Sequence, residues 1–497
     1  MRTLSSLFSR SHSSRTAVKA CSAALGVVAF GATLFATSDA SASGYLAARF
    51  GADQGTPATP NTFAVYYNPA ALGGTTGTTI TGDISVIVRS ASYQRPAGAL
   101  SPSSPGQLQD EEYRKHNVGK ATLLNLLALP FVGINTDFGG SKLFRAGYAF
   151  YIPFGGLATW DRKNQIGAAP GTTDGPQRWH NISGQILAIY NTAAFAVKVH
   201  PRFTIGANVS AIIHNVATVR ARNGDGSDDT VTPGGLVEGR SLLEAHGFNM
   251  SAALGVYWEP TDRWRFGASY TSQPGFGETK MSGTLETQIA GANPGKPDKI
   301  DFLQSYPDIV RVGASFKATD RLELKGDIEY VRWSVLDRQC VVKAGTSCDV
   351  SSDGKAPVGS ANVILNVPRK WKDAFGVRLG PSYAVTDELE IFGSAAFTTP
   401  AVPKETIDAS TIDAYRLYGT IGARYLFSRH FALAASYNHI YFFQVKTEGK
   451  SIQNIKEHPA SDVAGQGGQY NASRSPSADG TYNSQIGFVN VNAAYTF

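Results

Sequence analysis

The chain has 497 residues, of which 17% are charged and 11% aromatic, and its formal net charge is +6. The first 42 residues hold four basic groups and one acidic group, so the remainder keeps a net charge of only +3. That is too little to suggest a nucleic acid partner. Abundant Gly, Tyr, Phe, Thr, Ser and Asn suit twisted strands joined by polar loops. We predict an all-β fold.

The N-terminus has the pattern of a secretory signal. Basic residues from Arg2 to Lys19 precede an apolar stretch, Ala20–Ala36, and small residues follow at Ala40-Ser41-Ala42. We predict a signal peptide over residues 1–42. A membrane anchor is the alternative, but the stretch is short and no stop-transfer flank follows it. Lipidation at Cys21 is disfavoured because that cysteine lies at the start of the apolar stretch, whereas a lipid-modified cysteine should follow such a stretch.

Beyond residue 42, no segment approaches the roughly 20 apolar residues of a helical membrane span. The longest candidate, Leu123–Ile134, is interrupted by Asn125 and Pro130. A bundle of membrane helices is therefore excluded.

Several segments alternate between apolar and polar residues with a period of two. In Leu322–Tyr330, for example, Leu, Ile and Tyr alternate with Glu, Lys and Asp. A soluble sandwich would show this pattern too, with its charged face outward. The segments run for about 10 residues and often end in aromatics such as Trp258 and Tyr270, which is typical of strands that cross an outer membrane.

Short turns alternate with long polar segments along the chain, as in outer-membrane barrels. If each of six tight turns joins two strands, and a first and last strand are added, the barrel has 14 antiparallel strands. The first is expected at Ile80–Ser92 and the last at Asn483–Phe497, which ends on an aromatic residue. The six turns are 138–140, 200–202, 260–262, 318–320, 385–387 and 428–430.

The run Tyr66-Tyr67-Asn68-Pro69-Ala70-Ala71-Leu72 precedes the first predicted strand. It resembles the NPA(A/G)L motif of the long-chain fatty acid transporter (FadL/TodX) family of the outer membrane. Further similarity, as in Pro260-Thr261-Asp262-Arg263, follows in order along nearly the whole chain. The resemblance implies a hatch at residues 43–77 inside a barrel at 78–497. It also implies capture of a hydrophobic molecule, above all a long-chain fatty acid, and its sideways release into outer-membrane lipid.

By the same resemblance, the substrate pocket and hatch include six residues. The alternative is that they only anchor the hatch to the barrel wall. These residues are Phe63, Tyr66, Tyr67, Asn68, Pro69 and Ala70.

The third predicted strand contains Pro153, Gly155 and Gly156. Proline cannot donate to a β-ladder, and glycine in a strand often marks a bulge. We therefore expect a local gap in the wall, a lateral opening formed by Pro153, Phe154, Gly155, Gly156 and Leu157. A bend where the strand merely leaves the membrane is the alternative. Gly156-Leu157-Ala158-Thr159 matches the family at its kinked third strand.

Two cysteines follow the predicted signal, Cys340 and Cys348, in a polar segment. In an oxidising compartment we expect them to form a disulfide. A metal site is the alternative, but no ligand cluster accompanies them. The loop Asn223–Asp229 could hold calcium but lacks the closing Glu of an EF-hand, so a solvated loop is favoured.

No motif of a hydrolase, zinc protease or P-loop enzyme occurs, so we expect neither an enzyme nor a cofactor. A general porin, or a structural barrel that passes small polar solutes, is the alternative function. We expect a monomer. A fatty acid carboxylate would need a cationic or polar partner, and the sequence leaves four candidates open, which are Arg89, Arg311, Lys325 and Arg378.

Overall fold

The structure is a computed structural model that describes residues 49–162, 174–232, 235–288, 296–350, 362–458 and 472–497. The predicted signal peptide and residues 43–48 of the predicted hatch lie outside the described residues. Within the described ranges, no helix has the length and apolar content of a membrane span.

Strands make up most of the described chain, with two short α-helices, α1 (Ala64–Tyr67) and α2 (Glu111–Asn117). The strands are β1 (Thr78–Arg95), β2 (Gly119–Thr136), β3 (Phe144–Thr159), β4 (Ser183–His200), β5 (Phe203–Arg222), β6 (Val231–Thr232), β7 (Gly235–Leu236), β8 (Gly239–Trp258), β9 (Trp264–Thr271), β10 (Glu278–Gln288), β11 (Asp298–Ser305), β12 (Ile309–Lys317), β13 (Leu322–Val331), β14 (Arg338–Lys343), β15 (Val363–Pro368), β16 (Ala374–Ala384), β17 (Leu389–Thr398), β18 (Arg416–Leu426), β19 (Phe431–Phe442), β20 (Val445–Lys446) and β21 (Thr481–Thr496). Short 3₁₀ helices lie at Ala52–Gln54, Pro69–Gly74, Ala97–Ala99, Pro105–Gln109, Pro274–Phe276 and Trp333–Val335.

Fourteen antiparallel strands close into a ring, which confirms the predicted barrel. The order around the ring is β1, β2, β3, β4, β5, β8, β9, β12, β13, β16, β17, β18, β19 and β21, and β21 pairs with β1. The six predicted turns each join two neighbouring strands of this ring. We call their end of the barrel the turn end and the opposite end the loop end.

Strands β10, β11, β14 and β15 extend the sheet beyond the ring on one side of the barrel, at the loop end. Because β9 is much shorter than β8, the loop-end half of β8 pairs with β10 instead, and β11, β14 and β15 follow. Parts of two of the long polar segments, residues 221–245 and 335–370, therefore form strands, where the alternation of short turns and long polar segments predicts loops. Cys340 in β14 is joined to Cys348 by a disulfide, with a Cα–Cα distance of 6.3 Å.

The outer face of the ring is apolar and the inner face is mostly polar. On β1, Ile84, Val86 and Val88 point outward and are exposed, whereas Asp83 and Ser85 point inward and are buried. Aromatic side chains gather near both ends of the outer face; Trp264 and Phe316 stack at the turn end, with ring centroids 4.3 Å apart. An apolar band between two aromatic girdles is the surface that a bilayer requires.

Residues 49–77, which we call the inner segment, pack inside the ring. Inward-facing positions on the surrounding strands are glycines where the segment presses against the wall, and a Cβ atom added there would overlap it. Because glycine has no side chain, the backbones of the wall and of the inner segment approach closely at these positions. The pairs in contact are Gly133 with Thr62, Gly147 with Val65, Gly206 with Ala70, Gly255 with Asn68, and Gly267 with Pro57.

Candidate functional site

Three predicted pocket residues, Phe63, Tyr66 and Tyr67, are buried at the centre of the barrel. Tyr66 lies 5.1 Å from Phe50 and 5.1 Å from Tyr151 of β3, measured between ring centroids. Such edge-on aromatic contacts add to the free energy of burial. The aromatic side chains of the inner segment thus pack directly on the third strand.

Asn68, Pro69 and Ala70 face the wall. The Asn68 amide nitrogen donates to the carbonyl oxygens of Pro57 (2.8 Å) and Val256 in β8 (2.9 Å). Its side-chain oxygen accepts from the Ala70 N–H, which caps the 3₁₀ turn that starts at Pro69. The motif therefore has two sides: an aromatic side toward the lumen and a polar side that ties the inner segment to β8.

Ion pairs tie the inner segment to β13 and β16. Arg49 bonds to Asp327 at 3.0 Å, and Asp53 bonds to Arg378 at 3.1 Å. Arg311 donates to the Tyr66 hydroxyl at 2.7 Å. All of these side chains are largely shielded from solvent.

The four cationic candidates for binding a carboxylate all have protein partners. Arg311 is paired with Glu329, Arg378 with Asp53, and Lys325 lies 3.8 Å from Glu323. Arg89 donates to the Ser484 hydroxyl and, at 3.4 Å, to the Leu157 carbonyl oxygen. The first three belong to lumenal charge networks, and Arg89 contacts the third strand.

The wall is interrupted between β2 and β3. Strand β2 pairs with β1 along its whole length, but with β3 only over Phe131–Thr136, opposite Ala146–Tyr151. Toward the loop end, residues 126–130 of β2 and 152–158 of β3 are not paired with each other. We call this opening the gap; it extends roughly 17 Å along β2, at about 3.3 Å per residue.

A bulge in β3 accounts for the gap. Eight residue steps separate Tyr151 from Thr159, while their partners on β4, Tyr190 and Ser183, are only seven steps apart. The extra residue falls at Ile152 and Pro153, where the register shifts. A bulged strand bends, and Pro153 supplies no N–H to a ladder. Strand β3 therefore stays with β4 and leaves β2.

Apolar side chains line the gap, and we call them the gap cluster. Leu127 and Leu129 of β2 and Ile152 and Leu157 of β3 are buried against one another. Leu127 and Leu129 point inward from β2, so β3 is displaced toward the barrel interior. The cluster also includes Ile87, Ala414, Ile440, Phe442, Ile486 and Phe488.

A cavity of about 780 Å³, including its open mouth, adjoins the inner face of the same strand at Gly156, Leu157 and Ala158. Its walls are mainly apolar, and one end is polar. The apolar lining includes Ile186, Val216, Leu243, Phe302 and Val341, and the polar end includes His180, Gln339 and Arg369.

Two groups at the polar end, His180 and Arg369, contribute no net charge, and Arg220 also lines the cavity near His180. Burial lowers the pKa of His180 to about 4, so this imidazole is neutral at physiological pH. Although burial acts to raise the pKa of Asp408, the nearby Arg369 guanidinium lowers it to about 2. Arg369 donates to Asp408 at 2.8 Å, so its charge is balanced.

The five residues predicted for the lateral opening are thus distributed around one strand segment. Pro153 marks the bulge, Gly155 and Leu157 lie along the gap, and Gly156 lines the cavity. Phe154 points into the lumen, where its ring lies 5.4 Å from that of Tyr306.

The sequence patterns did not indicate that residues on β2 contribute to the lateral opening. Leu127 and Leu129 form the opposite edge of the gap, and Asn125 bonds to β3 above it. The only signal for Asn125 was that it interrupts an apolar run. Arg369 and the other polar cavity residues come from segments distant in sequence, and no local pattern marks them.

Most of the acidic loop Asn223–Asp229 is buried, with Gly224 exposed, so the expectation of a solvated loop was wrong. Asp228 bonds to Arg95 at 2.6 Å and to the backbone N–H of Ser101 at 3.0 Å. Asp229 accepts from the N–H of Ser103. Among the described residues, no group of three or more His, Cys, Asp or Glu side chains is placed to hold a metal ion.

A family model described as outer membrane protein transport protein (OMPP1/FadL/TodX) matches residues 23–480. The chain belongs to this family. Its members are outer-membrane transport proteins rather than enzymes, and the chain is accordingly an outer-membrane barrel.

Solved structures of the family share its fold at low identity. A Pseudomonas aeruginosa FadL homologue superimposes with a TM-score of 0.68 at 16% identity, covering 93% of this chain and 99% of that one. The Pseudomonas putida toluene transporter TodX gives 0.58 at 13% identity, covering 88% and 94%. The Ralstonia pickettii toluene transporter TbuX gives 0.54 at 16% identity, covering 88% and 94%.

A relative in sequence is the outer membrane protein NMB0088 of Neisseria meningitidis serogroup B. It is 21% identical over 251 residues, which make up 46% of this chain and 52% of that protein. The match therefore spans about half the length of that relative.

Proposed function

We propose that the protein carries hydrophobic molecules, above all long-chain fatty acids, across the outer membrane. The cargo is captured in the cavity and leaves sideways into the lipid through the gap. The observation that carries this proposal is that cavity and gap adjoin the same segment of β3, Gly156–Ala158.

The gap lies at the depth of the lipid. Leu124 and Leu126, beside it on β2, point outward and are 66% and 61% exposed. An alkyl chain loses roughly 0.8 kcal/mol per methylene when it moves from lipid into water. A path from an apolar cavity through an apolar gap avoids most of that loss.

The cavity suits an amphiphile. Apolar walls would hold an alkyl chain, and the hydrogen-bonding groups at the polar end would hold a carboxyl group. Because Arg369 is already balanced by Asp408, uncharged hydrophobic molecules are also compatible with it. Toluene transporters among the structural relatives agree with such a range.

The inner segment would act as the hatch that closes the lumen, inside a barrel formed by residues 78–497 and after removal of a signal peptide at 1–42. Its buried aromatic side chains and its ties to β8, β13 and β16 oppose an open, water-filled pore. A general porin is disfavoured for that reason. A single chain contains the ring, the cavity and the gap, so a monomer is sufficient.

The test is uptake by cells with and without the gene. We expect expression of the gene to accelerate entry of a radiolabelled long-chain fatty acid. Entry of toluene, measured in the same cells, shows whether the substrate range includes small hydrocarbons. Entry of a small sugar should be unchanged. Faster sugar entry with unchanged fatty acid entry would favour the porin and reject the proposal.

A further inference from the structure

We propose that Asn125 is a latch that holds β3 in its displaced position and so keeps the gap in shape. This inference rests on the lateral-release part of the proposed function. Asn125 is a positioning residue in it, because it acts through β3 and not on the cargo.

The contacts of Asn125 replace a missing rung of the β-ladder. Its amide nitrogen donates to the Thr159 carbonyl oxygen at 2.9 Å, and the Thr159 N–H donates to its side-chain oxygen at 3.0 Å. One side chain thus satisfies both main-chain groups of Thr159, on the edge of β3 that faces β2. Asn125 is buried and shares the inward face with Leu127.

The latch lies where β3 returns to β2. Just beyond it, the Asp161 N–H donates to the Thr122 carbonyl oxygen at 2.9 Å, a main-chain bond between the two segments. Counted from the last paired residues, Phe131 and Tyr151, this bond is nine steps along β2 and ten along β3. The extra residue of β3 therefore lies between the Phe131–Tyr151 pair and the latch. To accommodate it, this part of β3 forms an arch away from β2.

A second side chain supports the arch from the neighbouring strand. Arg89 of β1 reaches past β2 to the Leu157 carbonyl oxygen, two residues before Thr159. Main-chain groups without partners are unfavourable at membrane depth. Side chains that bond main-chain groups of β3 let this strand stay apart from β2 without that penalty. Of Arg89 and Asn125, Asn125 bonds both main-chain groups of one residue, Thr159.

The experiment compares Asn125→Ala with Asn438→Ala in the full-length protein. Asn438 is a matched control, since it is a buried, inward-facing strand asparagine that bonds to the side chains of Thr420 and Ser436 and not to the main chain of β3. Spin labels at Leu126 on β2 and Ile213 on β5, both exposed on the outer face, report the width of the wall across the gap. Fatty acid uptake is measured in parallel.

We expect Asn125→Ala to broaden the distance distribution and to slow uptake by roughly fivefold, as loss of two ordinary hydrogen bonds would allow. Asn438→Ala should leave both unchanged. Asn125→Asp keeps the acceptor for the Thr159 N–H but loses the donor, so it should lie between wild type and Asn125→Ala. If Asn125→Ala does not fold, this variant carries the comparison.

A distance distribution that Asn125→Ala leaves unchanged would overturn the latch. If the wild-type protein takes up no fatty acid while the distances change as expected, the proposed function fails and the latch stands.

Discussion

At the scale of single residues, the inner segment is accommodated by positions that lack side chains. Gly206, Gly255 and Gly267 lie on β5, β8 and β9, and each faces main-chain or amide atoms of the inner segment. Such neighbours cannot rotate away as a flexible side chain could. These glycines are therefore required for close approach and not for an unusual backbone conformation.

We predict that Gly267→Ala lowers the free energy of unfolding by roughly 1–3 kcal/mol, because the added methyl group would overlap the Pro57 carbonyl. Gly419→Ala is the matched control, a strand glycine with open space around its added Cβ, and it should be neutral or slightly stabilising. The measurement is the urea midpoint of the folded barrel in detergent. Equal midpoints for the two variants would contradict the close-contact interpretation.

At the scale of elements, the bulged strand β3 is the part of the wall that departs from a regular barrel. Pro153, Gly155 and Gly156 are residues in it that oppose regular pairing. A Cβ at Gly155 would meet Leu187 and Ile152 at 3.5 and 3.6 Å, which is ordinary contact. The position therefore has room for a side chain.

We predict that Pro153→Thr combined with Gly155→Val slows fatty acid uptake on the order of tenfold without lowering barrel stability. Thr restores an N–H, and both residues favour extended pairing. A shift of about 1.4 kcal/mol toward a paired strand already lowers the open population tenfold. Pro381→Thr, at a proline elsewhere in the wall, is the control. Undiminished uptake by the double variant would argue against the gap as the exit.

The sequence predicted the elements better than it predicted the site. Period-two alternation and turn residues depend on neighbouring positions in the chain. The count of 14 strands and the positions of β1 and β21 could therefore be predicted from the sequence. Strands β10, β14 and β15 were not, because their stability comes from pairing with segments distant in the chain. The same holds for the site: Pro153 is visible as a strand breaker, but nothing local marks Asn125 as the partner of Thr159.

At the scale of the whole molecule, charge pairs connect the inner segment to β13 and β16, and the Asn68 amide connects it to β8. The Asp53–Arg378 pair is largely shielded from solvent. Breaking a shielded pair by changing one partner leaves an uncompensated charge, which is strongly destabilising. The position of the segment should therefore respond to single charge changes.

We predict that Asp53→Arg alone and Arg378→Asp alone each raise ion conductance in planar bilayers, since each weakens docking of the inner segment by roughly 3 kcal/mol. The double variant restores an opposite pair and should return conductance toward the wild-type value. If the increase in conductance of the double variant equals the sum of the increases of the two single variants, the two side chains act independently. Asp53 and Arg378 would then not stabilise the inner segment as a pair.

The enclosure of residues 49–77 also has a consequence for the order in which the protein can be assembled. The segment precedes β1 in the chain, yet it is surrounded by strands that follow it, and the ring is sealed where Thr79 meets Thr496, 417 residues later. Contacts between such distant parts of a chain form late in folding. Threading the segment into a finished ring would require passing it through a packed lumen. We therefore expect the strands to wrap around the segment, with the seam between β1 and β21 closing last.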